Sequence, residues 1–274
     1  MSPTEPNAET LRAITQAVAE AQRVLFITGA GMSAESGLPT YRGVGGLYNQ
    51  PDTPEGLPIE ALLSGRCMAE QPATCWKYLG EVEAACRGAQ PNPGHQAIAA
   101  LEAHVDRVVV LTQNVDGLHT AAGSTDVIEI HGNLHRLRCT GCGWRKEVTD
   151  YAGLRIPPRC PECGELVRPD VVLFGEMLPM VALNALEQEL REGFDVVFSI
   201  GTTSVFPYIA EPVIRAGHHR RMTVEINPGD TEVSHLVHHR IRAEAGPVLQ
   251  RILGDVLRYK KNRAATLARP RGSI

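Results

Sequence analysis

A glycine-rich turn directly after an apolar run is the feature that most constrains the fold of this chain. The run from Val24 to Thr28 is apolar and partly β-branched, as is typical of a buried parallel strand. Gly29 and Gly31 follow at once, and Ala34 stands where a dinucleotide-binding fingerprint has its third small residue. Backbone amides that no side chain covers can approach a pyrophosphate, so the turn predicts a dinucleotide site. An ordinary strand-to-helix turn has the same pattern, and the motif alone leaves both interpretations open.

The sequence after this turn departs from a dehydrogenase in two ways. Gly37 and Pro39 follow within ten residues of the turn and would end the regular helix that a Rossmann fold places there. No acidic residue closes a second strand about twenty positions on, because Asp52 lies between Pro51 and Pro54 in sequence that does not form strands. The stretch therefore predicts a dinucleotide bound beneath a long loop, with chemistry other than hydride transfer.

Composition and charge exclude several classes of function. At 274 residues the chain can form one large domain, or a large and a small one. Its formal net charge of −4 gives no reason to expect a nucleic-acid partner, and no apolar run reaches membrane-spanning length. Seven cysteines, grouped partly in Cys-x-x-Cys pairs, fit a reducing compartment better than a disulfide framework. We therefore expect a cytoplasmic protein without nucleic-acid or membrane partners, and the sequence predicts no oligomeric state.

Four of the cysteines have the spacing of a zinc ribbon. Cys139 and Cys142 form one Cys-x-x-Cys pair, Cys160 and Cys163 form another, and seventeen residues separate the two pairs. Four thiolates fill a tetrahedral shell and leave no position for a reacting water, so the pattern predicts one structural zinc. A redox dithiol is the alternative, but two such pairs favour the metal.

Apolar runs that alternate with amphipathic helices predict an α/β fold with a doubly wound, Rossmann-like parallel sheet. A first helix is expected over 8–22, a final helix over about 246–259, and a solvated basic tail after it. The predicted strands cover residues 24–28, 107–112, 127–130, 171–174, 195–200 and 222–226.

The carboxyl ends of these strands are where a doubly wound sheet collects its ligands. His131 is the candidate base there, because it ends a strand and its neutral imidazole can take up a proton near neutral pH. Asn114 and Asp116 have an equally good explanation as turn residues. The strand-end positions as a group are 29–31, 113–116, 131, 201–204 and 227.

Several of these motifs, taken in order, resemble the signatures of the sirtuin family. They are the glycine turn through Arg42, the segments 112–119, 131–133 and 174–176, and the two cysteine pairs. The resemblance runs from about residue 20 to residue 255 and is nearest to bacterial-type members. Sirtuins consume NAD to deacylate protein lysines, and they combine a Rossmann-like domain with a small domain made of a zinc ribbon and a helical insertion.

The resemblance implies a division of the chain into domains. A Rossmann-like NAD-binding domain would comprise residues 8–43, 95–133 and 168–259. The small domain would comprise the helical insertion 44–94 and the zinc ribbon 134–167, and a basic tail would follow at 260–274.

The resemblance also implies roles for individual residues. His131 would be the general base, and Asn114 and Asp116 would be catalytic residues that hold the nicotinamide ribose and amide. An acyl-lysine peptide would add as a strand along Val172, Phe174, Gly175 and Glu176. The contacts with NAD would be made by Gly29, Ala30, Gly31, Ser33, Ala34, Glu35, Thr40, Tyr41, Arg42, Tyr48, Gln113, Asn114, Asp116, Gly201, Thr202, Thr203, Asn227 and Ala245.

The implied reaction needs no protein nucleophile. Nicotinamide leaves the ribose as the acyl carbonyl oxygen attacks its C1′ carbon, and His131 then removes a proton from a ribose hydroxyl. That hydroxyl attacks the resulting imidate, and water completes the transfer. The products are deacylated lysine, nicotinamide and O-acyl-ADP-ribose.

Two departures from the family pattern are evident, one at the acyl-binding positions and one in the loop that contains Thr203 and Ser204. The sequence from Pro39 to Arg42 is similar to the deacylase branch, which carries a Tyr-x-x-Arg pair that grips succinyl or malonyl carboxylates. Leu79 and Val82 stand at those two positions here, so we expect an apolar acyl pocket, weak desuccinylation and a preference for acetyl or longer apolar groups. The loop 201–207 is also one residue shorter than the usual form.

Two other functions compete with deacylation at this stage. A mono-ADP-ribosyltransferase would cleave the same nicotinamide bond but pass the sugar to a protein side chain. A zinc-bearing module that senses NAD without turnover is the non-enzymatic alternative, and the set of Asn114, Asp116 and His131 argues against it.

Overall fold

The computed structural model describes residues 7–39 and 53–267. Its helices are α1 Ala8–Glu20, α2 Ala30–Ala34, α3 Ile59–Leu62, α4 Gly65–Glu70, α5 Pro72–Cys86, α6 Pro93–Leu101, α7 Leu118–Ala121, α8 Met180–Glu192, α9 Pro207–His218 and α10 Ala245–Leu267. Its strands are β1 Arg23–Thr28, β2 Arg107–Thr112, β3 Val127–Glu129, β4 Gly132–Cys139, β5 Arg145–Glu147, β6 Val167–Val171, β7 Val196–Ile200, β8 Met222–Ile226 and β9 His239–Ile241.

A six-stranded parallel sheet forms the centre of the larger domain and confirms the predicted doubly wound fold. Its strand order is β3-β2-β1-β7-β8-β9, so the direction of winding reverses between β1 and β7. The two strands are in register, with Thr28 opposite Ile200, and both run buried for nearly their whole length. In sheets of this kind the crevice at the reversal point is the ordinary ligand site.

Two apolar layers cover the faces of this sheet. On one face Phe26 stacks on Phe198 with ring centroids 4.8 Å apart, and helices α1, α6 and α10 contribute to the same cluster. On the other face Leu25 and Ile27 pack with residues of α8 and α9. Because alternate side chains of β1 point to opposite layers, its unbroken apolar run is what burial on both sides requires.

A three-stranded antiparallel sheet, in the order β5-β4-β6, belongs to the small domain. The prediction that residues 171–174 form a strand of the parallel sheet was wrong, because the strand covers Val167–Val171 and pairs antiparallel with β4. Gly132 and Asn133, and residues 168–171, which we had placed in the Rossmann-like domain, pair within this small sheet. An apolar run predicts a strand but not the direction of its neighbour.

The helical insertion and the cysteine-bearing segment share one core. Trp76 in α5 is 1% exposed, and its indole nitrogen donates a hydrogen bond to the backbone oxygen of Val167 in β6 (3.0 Å). The ring of Tyr151 meets Trp76 edge-on at 5.3 Å. The described parts of the two sequence segments therefore share one apolar core.

The final helix is longer than the sequence indicated. α10 continues to Leu267, so residues 260–267 of the predicted solvated tail are helical, and residues 268–274 lie outside the described part of the chain. Tyr259 donates a hydrogen bond to Glu20 of α1 (2.5 Å), and Arg263 pairs with the same carboxylate (3.3 Å). Within residues 7–39 and 53–267, no helix combines the length and the apolar character needed to cross a membrane.

Gly132 permits the close approach of β4 to β6. Its φ is +81°, and a Cβ added there would lie 1.9 Å from the backbone oxygen of Asp170. Gly153 has a similar φ of +80°, but a Cβ added there would meet no atom of the described residues within 4 Å. An alanine at Gly153 would therefore suffer backbone strain alone, whereas an alanine at Gly132 would suffer both the strain and a steric clash.

We expect Gly132→Ala to destabilise the fold far more than Gly153→Ala. The left-handed backbone costs an alanine about 1–2 kcal/mol at either position, and the clash at Gly132 adds about 1–3 kcal/mol. Urea unfolding followed by circular dichroism measures both free energies. Equal losses in the two variants would show that β4 and β6 can separate without penalty.

Candidate functional site

The carboxyl ends of β1 and β7 meet through a pair of glycine-containing loops. The amide of Gly29 donates to the oxygen of Ile200 (3.0 Å), and the amide of Gly31 donates to the oxygen of Gly201 (2.9 Å). A Cβ added to Gly31 would lie 2.7 Å from the Cα of Gly201, and one added to Gly29 would lie 2.7 Å from the Cβ of Thr202. These glycines let two protein loops touch, and their own amides are engaged there rather than free for a pyrophosphate.

A polar network under the glycine turn joins Asn114 to Asp116. The amide nitrogen of the Asn114 side chain donates to the backbone oxygen of Gly29 and to the hydroxyl of Ser33, both at 3.0 Å. The Ser33 hydroxyl in turn donates to one carboxylate oxygen of Asp116 (2.7 Å), and the other accepts the backbone amide of Leu118 (2.9 Å). Burial raises the pKa of Asp116. Asp116 therefore caps a turn, as the alternative interpretation held, and also belongs to a buried network at the strand ends.

A second group of amides and hydroxyls lies on the β7 side. The side chain of Gln113 donates to the Thr202 hydroxyl (2.6 Å), and the side chain of Asn227 donates to the Thr202 backbone oxygen (3.0 Å). The backbone oxygen of Thr203 accepts the amide of Glu232 (3.1 Å). Ser204, the next residue, has the left-handed φ of +55°, and the structure therefore builds the loop around a strained, buried serine.

His131 is held by hydrogen bonds at both ring nitrogens. Nδ1 lies 3.0 Å from the backbone oxygen of Gln113, and Nε2 lies 2.7 Å from the hydroxyl of Tyr208. Burial lowers the pKa of His131, so the ring is neutral near pH 7. A neutral imidazole that faces a carbonyl at Nδ1 carries its proton there and keeps the lone pair on Nε2.

Tyr208 is the residue of this site that the sequence analysis missed. It follows Pro207 in the first turn of α9, close to the carboxyl end of β7, and it is neither of the small residues nor of the amides that the strand-end pattern singled out. Its ring stacks on Phe206 with centroids 5.4 Å apart and an interplanar angle of 12°. Both rings meet His131 nearly edge-on, at 84° and 86°. The sequence signal that could have identified Tyr208 was an aromatic residue close to the end of a predicted strand.

Only some of the remaining predicted NAD-binding residues lie beside the junction of β1 and β7. Ala30, Ser33 and Ala34 lie in the short helix α2, next to the β1–β7 junction. Glu35 instead accepts the backbone amide of Gly246 at the start of α10 (2.7 Å), beside the buried Ala245. Its carboxylate thus has a structural contact across the domain. Four predicted contacts lie outside the described residues: Thr40, Tyr41, Arg42 and Tyr48.

The predicted peptide-binding segment, residues 172–176, runs from His131 to the small domain. The amide of Val172 donates to the oxygen of His131 (2.9 Å). The amide of Phe174 donates to the oxygen of Leu63 (2.9 Å), and its oxygen accepts the amide of Gly65 (3.0 Å). Both backbone polar groups of Phe174 are thus already hydrogen-bonded. An added peptide strand would have to pair with the backbone groups of the neighbouring residues. Gly175 follows with the left-handed φ of +79°.

Glu176 anchors the end of this segment. Its two carboxylate oxygens accept both terminal nitrogens of the nearly buried Arg168, at 2.5 and 2.9 Å, and the second oxygen also accepts the amide of Leu173 (2.9 Å). Burial alone would raise the pKa of Glu176, but the hydrogen bonds from Arg168 outweigh it and hold the pKa below its ordinary value. The carboxylate therefore has a local positioning role, and a direct substrate contact remains a prediction.

Leu79 and Val82, the predicted acyl-pocket residues, lie in the apolar core of the small domain. Leu79 is 3% exposed, and Val82 packs against the same cluster. Val115 and Leu173, which flank the polar network and the peptide-binding segment, belong to that cluster too. These side chains thus lie in apolar surroundings that extend to the predicted peptide-binding segment.

The four paired cysteines converge as the spacing predicted. Their sulfur atoms all lie within 4.8 Å of one another, with 3.4 Å between Cys139 and Cys163 and 3.6 Å between Cys142 and Cys160. A tetrahedral zinc bound at about 2.3 Å would set its sulfur ligands about 3.8 Å apart. The donor set and its spacing therefore fit a zinc ion, which the cysteines could hold without further ligands.

Comparison with known proteins agrees with this architecture. A model of the Sir2 family matches residues 29–207. The "NAD-dependent protein deacylase 2" of Pseudomonas aeruginosa (strain PAO1) is 49% identical over 248 residues, covering 89% of this chain and 96% of that protein. A mutant Sir2 homologue in complex with 2′-O-acetyl ADP ribose is 37% identical, with a TM-score of 0.80, and the match covers 92% of this chain and 97% of that one. A complex of Sir2 with a p53 peptide and NAD+ is 27% identical, with a TM-score of 0.77 over 89% and 98% of the two chains.

The raised pKa of Asp116 predicts a pH dependence of stability that Asp116→Asn abolishes. The folded protein binds this proton more tightly than the unfolded chain does, so above about pH 4 the native state holds more protons and loses stability as the pH rises. We expect the unfolding free energy of Asp116→Asn, relative to wild type, to grow with pH until the folded pKa is passed.

Asp230→Asn is the control with the opposite sign. The hydrogen bond and charge of Arg240 lower the pKa of Asp230, so the contribution of this carboxylate to the unfolding free energy grows as the pH rises. Urea titrations of the three proteins between pH 4 and pH 8 give the differences. Parallel curves for the two variants would contradict the assignment of a destabilising buried charge to Asp116.

Proposed function

The chain belongs to the Sir2 family, and on that premise we propose which of its residues carry out NAD-dependent protein deacylation. The activity itself follows from membership: the chain is an NAD-dependent protein deacylase, with relatives of that name over nearly its whole length. The roles of individual residues are our proposal. The observation that carries it is the neutral, oriented imidazole of His131, which stands with Gln113, Asn114 and Asp116 at the reversal point of the sheet.

We assign the binding of NAD to the crevice between the β1 and β7 loops. The close contact of Gly31 with Gly201 brings the two loops together there with no side chain between these glycines, and Gln113, Thr202 and Asn227 form a connected set of amides and hydroxyls. Such groups suit ribose hydroxyls and a carboxamide, both of which donate and accept hydrogen bonds. When bound, NAD supplies the ribose carbon that receives the acyl oxygen as nicotinamide departs.

His131 acts in this proposal as the general base. Its Nδ1 proton is committed to the Gln113 carbonyl, which leaves the Nε2 lone pair to accept a proton from a ribose hydroxyl. The lowered pKa keeps the ring in its basic form at neutral pH. After the transfer, the positive ring is stabilised at Nδ1 by the same carbonyl, which accepts a stronger, charge-assisted hydrogen bond.

Substrate binding is assigned to the segment 172–176, which begins at His131. Structures of family members with a p53 peptide support protein substrates in general. An acyl-lysine peptide added along this edge would reach the base through the apolar cluster that contains Leu79 and Val82. No guanidinium stands at either of those two positions to pair with an acidic acyl group.

Zinc has a structural role in this proposal, because the four cysteines would occupy every tetrahedral position. Cys139 and Cys160 are also part of the apolar core of the small domain, so the metal would hold that core together. The cytoplasmic location, and the absence of nucleic-acid and membrane partners, remain predictions from composition.

We expect His131→Ala to lower turnover by about 10²–10⁴, the range for loss of a positioned base. Binding of NAD, followed by isothermal titration, and the unfolding midpoint should change little, because the side chain is not part of an apolar core. His219→Ala, at an exposed position after α9, is the control and should keep wild-type turnover. Wild-type rates in His131→Ala would refute the proposed base.

Mass spectrometry of the products from NAD and a panel of acyl-lysine peptides tests the activity and its selectivity. We expect O-acyl-ADP-ribose and free nicotinamide, with acetyl and decanoyl peptides turned over at least about tenfold faster than succinyl peptide, since a missing charged hydrogen bond is worth 1.5–3 kcal/mol or so. Leu79→Tyr combined with Val82→Arg should raise the succinyl rate above that of the wild type. Preference of the wild type for succinyl would defeat the apolar-pocket assignment, and ADP-ribose retained on protein would indicate the transferase alternative.

A further inference from the structure

The hydroxyl of Tyr208 is hydrogen-bonded to Nε2 of His131, the nitrogen that accepts a proton in the proposed mechanism. Its oxygen lies 2.7 Å from Nε2 of His131, while Nδ1 faces the Gln113 carbonyl at 3.0 Å. Because Nδ1 keeps the ring proton, Nε2 is an acceptor, and Tyr208 is therefore the donor. The single basic lone pair of the ring is thus hydrogen-bonded before any substrate arrives.

The position of this hydroxyl is set by its surroundings rather than by solvent. Tyr208 lies in the first turn of α9, stacks on Phe206, and packs against the apolar layer between the sheet and α8. Burial raises the pKa of Tyr208 to about 12, so the phenol remains protonated and able to donate throughout the neutral range. A rigid donor of this kind fixes both the rotation and the tautomer of the imidazole.

We propose that Tyr208 is a positioning residue, which holds His131 in its neutral, Nδ1-protonated form and yields Nε2 to the ribose hydroxyl when the substrates bind. The inference rests on the proposed function of His131 as the base. In the transfer, the proton passes from the ribose oxygen to Nε2, and the phenolic proton stays on Tyr208. The phenolic oxygen is then available to accept the new Nε2–H, because a hydroxyl both donates and accepts.

This role predicts a different effect on the two halves of the reaction. Nicotinamide is released before His131 acts. The exchange of labelled nicotinamide into NAD reverses that release and therefore does not need an oriented base. Formation of O-acyl-ADP-ribose does need one. A residue that merely lined the substrate channel would affect both halves equally.

The test is Tyr208→Phe, which removes the hydroxyl but keeps the ring that stacks on Phe206. We expect the kcat for product formation to fall about tenfold, equivalent to the loss of a hydrogen bond of about 1.4 kcal/mol. The rate of nicotinamide exchange with acetyl peptide should stay within twofold of the wild type. Tyr259→Phe, which loses a hydroxyl contact with Glu20 on the far helices, is the matched control and should leave both rates unchanged.

Nitrogen NMR of the ligand-free protein supplies a readout that is independent of turnover. In the wild type, the His131 imidazole should show a protonated Nδ1 and a hydrogen-bonded Nε2, and the Nε2 resonance should move toward that of an unbonded nitrogen in Tyr208→Phe. An unchanged Nε2 resonance overturns the hydrogen bond itself. Equal loss of exchange and product formation, or no loss of either while His131→Ala is inactive, overturns the positioning role alone. A fully active His131→Ala instead refutes the proposed base.

Discussion

The contact between the β1 and β7 loops is the constraint on which the rest of the site depends. Gly31 and Gly201 approach so closely that any side chain on either would displace the other loop. Asn114 is bonded to the β1 loop and its chain neighbour Gln113 to the β7 loop, so the segment after β2 links the two loops where they meet. The glycines therefore act through packing between loops. Because their amides are used within the protein, they would contribute to the proposed binding of a pyrophosphate only through the close approach of the two loops.

Orientation of His131 depends on two elements that meet beyond this contact. One nitrogen is bonded to the loop after β2, and the other to the first turn of α9, which follows β7. A ring held from both sides has one tautomer and one rotamer, whereas the buried His119 has a hydroxyl partner at Nε2 and, among the described residues, none at Nδ1. Chemistry at a strand end needs the first arrangement, because a base must present a lone pair in a known direction.

Patterns local in sequence predicted the fold well, and contacts distant in sequence were what they missed. The apolar runs indicated the parallel strands, and the Cys-x-x-Cys spacing indicated the sulfur cluster, because both depend on neighbouring residues. The run at 171–174 was assigned to the wrong sheet, since its antiparallel partner lies in β4. Glu35 bonds to a residue 211 positions away, and Tyr208 to one 77 positions away. No periodicity encodes such pairs, so only the assembled sheet reveals them.

The segment 172–176 is bonded to both domains at once. Val172 is tied to the end of the large sheet through His131, Phe174 to the helical insertion through Leu63, and Glu176 to the small sheet through Arg168. A peptide added along this edge would thus bind where three separate elements are tied together. Any movement of one of these elements against the others would shear the edge and change the affinity for the peptide. By thermodynamic reciprocity, the bound peptide would restrain that movement to the same degree.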